Sequence, residues 1–540
     1  MCGILAVIGK EIDEKKAFEA SKLLSHRGPD EADMVKTEHA VLCHQRLSIN
    51  DLKTGKQPIQ GTRDTWVIHN GEIYNHKALH QELFSDVTFR THSDSEIIVH
   101  LYEKKGYEFL NDLDGVFSFI VVDGDKVIAG RDPIGVKPLF YGYDSEERIW
   151  FASEYKALIE HCVKIDEFPP GHYFTLETGF VRYFQPAWYE GKKPTRGPEE
   201  LKQALIKACK KRLMSDVPVG VLLSGGLDSS LVASIVSREM KKQGKVLKSF
   251  SVGISADSSD LSKARAVAEM IGTEHHEVVY TPEEGIALLE EMIHKLESYD
   301  VTTIRASTPM YIMSKYIRQQ GVKVVLSGEG ADEIFGGYLY FKNAPTAQDF
   351  HEECVRRVKL LNTADCLRAD RSTMGTGVEA RVPFLDKEFL EVAMELDPKY
   401  KVTPKGGMEK MVLRKAFDDL FDPYLPGEVL WRQKEQFSDG VGYSWVDSLK
   451  ALAEKVVTDE EFATASMRFP YNTPDTKEAF MYRAMYDKLF PHESAALMIR
   501  KWVPKWQADT DPSGRASTHH VATLYEEEEE KPKTQPTLSA

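Results

Sequence analysis

The sequence predicts two domains of different class: an α+β domain of mostly antiparallel sheet, then an α/β doubly wound parallel sheet with a helical C-terminal part. Three observations predict them. Short β-rich runs follow one another closely through the first ~185 residues, and strands alternate with helix-length runs from about residue 201. Between the two patterns, YEGKKPTRGPEE (189–200) turns polar, with glycine, proline and lysine. At 540 residues the chain also exceeds what a single hydrophobic core fills.

In the first domain, ILAVIG, AVLCHQRLSI, TWVIHNGEI, VFSFIVVD, KVIAGR and RIWFAS concentrate β-branched and aromatic residues in short runs, so they read as strands. KKAFEASKLLSH and SEIIVHLYEKKGYEFLNDL carry a helical period and would cover the outer sheet faces. Beyond the linker the order is helix (ELKQALIKACKKRLM), strand (VGVLLS), helix (SSLVASIVSREMKK), strand (KSFSVGI), helix (LSKARAVAEMI), strand (HEVVY), then long helices and a further strand, KVVLSG. That alternation predicts parallel strands joined by crossover helices. After about 340 the chain reads as helical, and the end, EEEEEKPKTQPTLSA, as a solvated acidic tail. The expected boundaries are 2–188, a linker at 189–200, 201–505, and a disordered tail at 506–540.

With 42% hydrophobic and 28% charged residues, the composition is that of a soluble globular protein. A net charge of -15 with no basic run argues against nucleic acid as a partner. The six cysteines form no CxxC pair, which suits a reducing compartment, and the chain is read as cytosolic. No apolar run approaches the ~20 residues of a membrane span, so no membrane is expected as a partner.

VGVLLSGGLDSS (219–230) has the order strand, glycine turn, helix start. Ser224, Gly225, Gly226, Leu227, Asp228 and Ser229 would bring N–H groups and hydroxyls to the positive end of a helix, where an anion is stabilised. The lysine of a G-x-x-x-x-G-K-S/T loop is missing, so γ-phosphoryl transfer is not indicated; a pyrophosphate held as one unit is. Asp228 offers a hard oxygen for Mg²⁺.

A second turn of this kind stands at KVVLSGEGADEIFGGY (323–338). Two such turns at the carboxyl ends of parallel strands can converge on one site. Asp332 would then be a second Mg²⁺ ligand and Glu329 a carboxylate free for acid–base work, although either acid alone is equally at home as a solvated loop residue.

Cys2 directly follows the initiator methionine. Once Met1 is removed, a cysteine there carries a nucleophile and its own base, because the α-amine titrates at ~7.7–8.0. In HNGEIYN (69–75), Asn70 and Gly71 can present an amide and an N–H to a developing oxyanion. In HQRLSIN (44–50), the planar fork of Arg46 suits an α-carboxylate, while Glu72 and Asp94 (in THSDSE) can accept from an ammonium. Together they describe a pocket for glutamine.

SGGLDSS resembles the loop of ATP-dependent ligases that cleave between the α and β phosphates. SGEGADEIFGGY, ESYDVTTIRASTPMY (297–311), GVEARVPFLD (377–386) and RQKEQFSDGVGYSW (432–445) are similar to motifs of glutamine-dependent asparagine synthetases, in family order over residues 2 to about 490. The N-terminal set, with SHRGPD (25–30), resembles class II glutamine amidotransferases of the N-terminal nucleophile fold, an αββα sandwich. The resemblance implies ATP against Leu222, Val252, Ser327 and Gly328, pyrophosphate within Ser224 to Ser229 and facing Lys434, and Arg414 on the aspartate or phosphate side. It adds Leu47, Ile49 and Asn50 to the glutamine contacts; Asn50 stands where a small apolar residue is expected, and its backbone would serve unchanged.

The implied reaction consumes ATP, L-aspartate and L-glutamine, with ammonia passing between domains along a sheltered path, and a homodimer is the assembly to test for. An amide ligase acting on another carboxylate, and a non-catalytic scaffold using the acidic tail, remain as alternatives.

Overall fold

The computed structural model describes residues 2–191, 194–256, 258–404, 407–432 and 443–507. The first domain stacks two six-stranded sheets, all of whose pairings are antiparallel. One runs in the order Lys164–Glu167, Phe140–Tyr143, Ile149–Ala152, Gly3–Ile8, Ala40–Arg46, Glu31–Lys36. The other runs Gly179–Arg182, His172–Thr175, Lys126–Arg131, Gly115–Asp123, Thr65–Ile73, Ile59–Gln60.

Period-two alternation explains why Gly3–Ile8 is apolar at every position. Ile4, Ala6 and Ile8 face the other sheet, meeting Ile68, Ile120 and Val122. Leu5 and Val7 face outward, under Ala17 and Ala20 of the helix Glu14–Lys22. On the far side, Val67, Phe117 and Phe119 are covered by Ile97 and Leu101 of the helix Glu96–Lys105. The central strands of both sheets are therefore buried on both faces, which gives the αββα sandwich that the resemblance implies.

The second domain carries a five-stranded sheet in the order Glu274–Val279, Lys248–Gly253, Val219–Leu222, Val324–Leu326, Glu379–Arg381, with every pairing parallel. The first strand in sequence, Val219–Leu222, is central, and successive strands are laid first to one side and then to the other. Its carboxyl end is thus the topological switch point, where a cleft opens in sheets of this kind. The fifth strand lies inside GVEARVPFLD, in a stretch read as helical, and is a correction to that reading. Three residues, two of them charged, show no period that a sequence window can detect.

Between the domains, Arg196 pairs with Leu396 in an isolated bridge, and its guanidinium meets Glu395 at 2.9 Å, so the linker is pinned to the second domain. No helix among the described residues is long and apolar enough to cross a membrane. Of the tail expected at 506–540, residues 508–540 lie outside the described residues.

Candidate active sites

Cys2 is buried at the entry to the strand Gly3–Ile8 and is held at both ends. Its N–H donates to Asn70 Oδ1 (2.9 Å), and its carbonyl accepts from Arg27 Nε (3.1 Å). Burial pushes the Cys2 thiol up, with the Leu47 N–H and Arg46 acting in the opposite direction. A neutral thiol needs a base beside it to become a nucleophile. Asn70 points into the sandwich from the strand Thr65–Ile73, its Nδ2 3.4 Å from Ser118 Oγ. Gly71 follows with φ +152°, and a Cβ there would fall 2.0 Å from the Val116 carbonyl oxygen, so only glycine lets the two strands meet at this point.

The glutamine-pocket candidates converge, with differences from expectation. Arg46 does not present a free fork: Nη1 meets Glu31 at 2.5 Å and Nη2 donates to the Asp51 carbonyl at 2.5 Å. The Asn50 side chain is engaged as well: Nδ2 donates to Glu72 Oε2 (2.5 Å) and lies 3.5 Å from Asp94 Oδ1. It ties the two carboxylates together. Asp94 Oδ2 accepts the Ile73 N–H at 2.8 Å. Burial raises the Glu72 carboxyl well above the usual range, opposed by Arg381, and burial raises Asp94 as well. Two buried carboxyls of this kind gain most from an ammonium placed between them. Leu47 and Ile49 are buried in the adjoining core.

Sequence reasoning assigned no role to Arg381, yet it reaches from the second domain's fifth strand into this pocket. Nη2 lies 3.1 Å from Glu72 Oε1, Nε 2.5 Å from Glu379, and Nη1 donates to the Arg212 and Met214 carbonyls. The motif carrying it was quoted; its cross-domain reach depends on tertiary placement.

In the second domain, Leu222, Ser224, Gly226, Leu227, Asp228, Ser229, Val252, Ser327, Gly328, Glu329 and Asp332 line one cleft at the switch point. Gly225 turns away and packs on the helix Ser259–Ile271, where a Cβ would lie 2.6 Å from the Ala264 nitrogen. The two glycine turns touch: a Cβ on Gly328 would fall 2.7 Å from the Ser229 nitrogen, so glycine allows the close approach. Ser224 Oγ and Ser229 Oγ sit 3.0 Å apart at the start of the helix Leu227–Lys242. No side chain caps that helix, which leaves its first N–H groups for a ligand.

Asp228 and Asp332 come together, with the Lys410 ammonium 2.5 Å from each. Lys410 is 2% exposed and sits at φ +58°, a left-handed conformation that a non-glycine residue holds only where its surroundings dictate it. It was not singled out, although it lies four residues before Arg414, in EKMVLRKAF (409–417). Among the described residues no group of three or more His, Cys, Asp or Glu could hold a metal alone. The converging pair of carboxylates fits Mg²⁺ in company with phosphate oxygens, because Mg²⁺ is commonly held by one or two carboxylates plus substrate phosphates.

Glu329 Oε2 accepts from Arg368 Nη2 (2.6 Å), and Arg368 Nη1 meets Asp365 at 2.8 Å. Burial raises the Glu329 carboxyl while Arg368 opposes the rise. Arg414 lines the cleft but is committed inward, to Glu409 Oε1 (3.0 Å) and the Glu409 and Leu430 carbonyls. Its geometry is that of a residue shaping the loop rather than meeting a substrate. Lys434 lies outside the described residues.

Residues 1–185 match the glutamine amidotransferase domain family, and residues 200–349 and 342–511 match the asparagine synthase family. The chain thus pairs an amidotransferase domain with a synthase domain. A probable asparagine synthetase (glutamine-hydrolyzing) of Dictyostelium discoideum is 50% identical, over 97% of this chain and 100% of that one. Asparagine synthetase (glutamine-hydrolyzing) 2 of Arabidopsis thaliana is 49% identical, over 98% and 96%. The chain belongs to the glutamine-hydrolysing asparagine synthetase family. Among solved structures, the allosteric regulatory enzyme of purine biosynthesis shares 18% identity over 52% of this chain and 80% of that one, with a TM-score of 0.32, too slight a likeness to carry an argument.

Proposed function

We propose that this enzyme makes asparagine from aspartate at the expense of ATP, with glutamine as nitrogen donor, through the two centres described above. The observation that carries the reading is the Cys2 N to Asn70 Oδ1 bond. It sets the future α-amine beside the amide whose NH₂ would meet the oxyanion.

After loss of Met1, the α-amine takes the Cys2 thiol proton and the sulfur attacks the glutamine γ-amide carbon. Asn70 Nδ2 and the Gly71 N–H stabilise the oxyanion, ammonia leaves with the proton returned by the amine, and water hydrolyses the γ-glutamyl thioester to glutamate. Glu72 and Asp94 hold the glutamine ammonium, and Arg46 completes the carboxylate side once its fork turns from Glu31.

In the second centre the aspartate β-carboxylate attacks the α-phosphorus of ATP. The bond to the bridging oxygen breaks, giving β-aspartyl-AMP and pyrophosphate. Ser224 to Ser229 and the helix start hold the pyrophosphate, with Lys410 and Lys434 neutralising charge. Asp228 and Asp332 would hold Mg²⁺, which when bound supplies charge neutralisation between phosphates. Ammonia then attacks the acyl carbon, Glu329 accepts its proton, and AMP leaves.

Replacing Cys2 by Ala tests the division of labour. Glutamine-dependent synthesis should vanish while synthesis from added ammonium salt persists, with AMP and pyrophosphate as nucleotide products and mass spectrometry showing a polypeptide that begins at residue 2. Loss of both activities together, or formation of ADP, would overturn the assignment. A cytosolic location and a homodimer complete the proposal, read out by cell fractionation and analytical ultracentrifugation.

A further inference from the structure

The carbonyl of Cys2 is held by a guanidinium that also pairs across the domain boundary. Arg27 donates from Nε to that carbonyl (3.1 Å) and from Nη1 to Glu154 Oε1 (2.8 Å). Its remaining fork is closed by Asp370 of the second domain, Nη1 to Oδ2 at 2.8 Å and Nη2 to Oδ1 at 3.1 Å. The side chains are 0% and 5% exposed, so water does not compete for this pair. A planar fork held bidentately has one orientation, and that orientation aims Nε at the Cys2 carbonyl.

We propose that Asp370, in the synthetase domain, is a positioning residue of the glutaminase centre: through the Arg27 fork it fixes the Cys2 carbonyl and hence the sulfur. The proposal rests on the reading of Cys2 as the glutaminase nucleophile. Two anchors then define the first residue of the mature chain. Asn70 holds its nitrogen from within the glutaminase sandwich, and Arg27 holds its carbonyl from a fork seated on the neighbouring domain. A residue with no chain before it would otherwise be free to swing, and a small misplacement of a nucleophile costs far more in rate than in binding.

The helix that carries Asp370, Asp365–Met374, also carries Arg368, whose Nη2 holds Glu329 in the synthetase cleft at 2.6 Å. Two residues apart on one helix, Arg368 and Asp370 thus serve opposite centres. The geometry requires the glutaminase centre to be complete only when that helix is docked against it.

The test is Asp370→Asn, which keeps the shape and removes the charge from the fork, with Asp370→Glu as the conservative rescue. Each is assayed in the full chain with glutamine and, separately, with ammonium salt. For Asp370→Asn, kcat for glutamine hydrolysis should fall about tenfold or more with KM for glutamine within about twofold. Ammonia-dependent synthesis should stay within about twofold of wild type, and Asp370→Glu should recover most of the lost kcat. Should Asp370→Asn prove too unstable to assay, Arg27→Lys replaces it. That variant keeps a cation opposite Glu154 and Asp370 but loses the fork, and should show the same selective loss of kcat.

Glutaminase kcat left intact in the variant, or glutamine and ammonia activities falling in parallel in both variants, would overturn the proposal. Absence of glutaminase activity in the wild-type chain would instead remove the reading beneath it, so the two failures are distinct.

Discussion

The ammonium of Lys410 bridges Asp228 and Asp332, one carboxylate from each of the two glycine turns, at 2.5 Å from both. Two acids brought together at the end of a parallel sheet repel each other and lose solvation, so without a cation between them the two turns would be pushed apart. Lys410 is also enclosed: a Cβ on Gly337 would fall 2.2 Å from its Cε and 2.0 Å from Asp332 Oδ1. It lies at the junction where the phosphate-binding loop meets the second turn.

Replacing Lys410 by Met should lower ATP-dependent synthesis by ~100-fold or more, the scale seen when one fixed group facing transition-state charge is removed. The loss should be the same with glutamine and with ammonium salt as nitrogen source, because it falls on adenylation, while glutamine hydrolysis should persist. Measurement of pyrophosphate release beside glutamate formation separates the two. An unchanged rate of pyrophosphate release would show that the bridge serves structure alone.

A second expectation concerns pH. Glu329 must be ionised to take a proton from attacking ammonia, and burial already raises its carboxyl, with Arg368 holding it down. Removing that cation in Arg368→Gln should move the carboxyl further up. The ionised fraction then appears only at higher pH, so the acid limb of the synthesis rate shifts to alkaline pH and activity near neutrality falls. Wild type and variant are compared with glutamine as the common nitrogen source, which keeps the bulk titration of ammonium out of the comparison. Glu329→Gln, lacking a titrating group, should lose ~100-fold and leave no such limb.

The parts of these centres that lie within one contiguous stretch were legible in the sequence. ILAVIG reads as a strand, and SGGLDSS behind VGVLL as an anion-binding turn, because strand period, glycine turn and helix start are all local. What escaped was whatever depends on chain segments far apart. Glu379–Arg381 adds a strand of three residues with two charges, below any periodic signal, and sends Arg381 into the other domain's pocket. Lys410 sits 182 residues from Asp228, and no spacing announces that pairing. Asn50 stands where a small apolar residue is expected, and its amide joins Glu72 and Asp94, which are 22 and 44 residues away. A polar residue at a position where an apolar one is expected was the available signal.

Stability should depend on another such long-range contact. Asp386, 1% exposed, closes GVEARVPFLD and meets Arg212 Nη1 at 2.8 Å and Lys211 Nζ at 3.0 Å. It also caps the helix Lys387–Met394, accepting from the Glu388 and Phe389 N–H groups. Burial opposes its ionisation, but Arg212 and Lys211 outweigh it and hold the carboxyl below the usual range. The folded state therefore binds fewer protons here than the unfolded chain. The stabilisation is fully present above the unfolded pKa of ~3.9 and is lost as pH falls through the lower folded value. Asp386→Ala leaves Arg212, itself 1% exposed, without its carboxylate and the helix without its cap, and should cost about 3–5 kcal/mol in urea unfolding. Asp386→Asn keeps an acceptor for the cap and should cost less near neutrality, and its stability should fall less steeply than wild type between about pH 5 and 3. If Asp386→Asn instead follows the wild-type acid slope, the ion pair contributes nothing measurable and the loss in Asp386→Ala belongs to the helix cap.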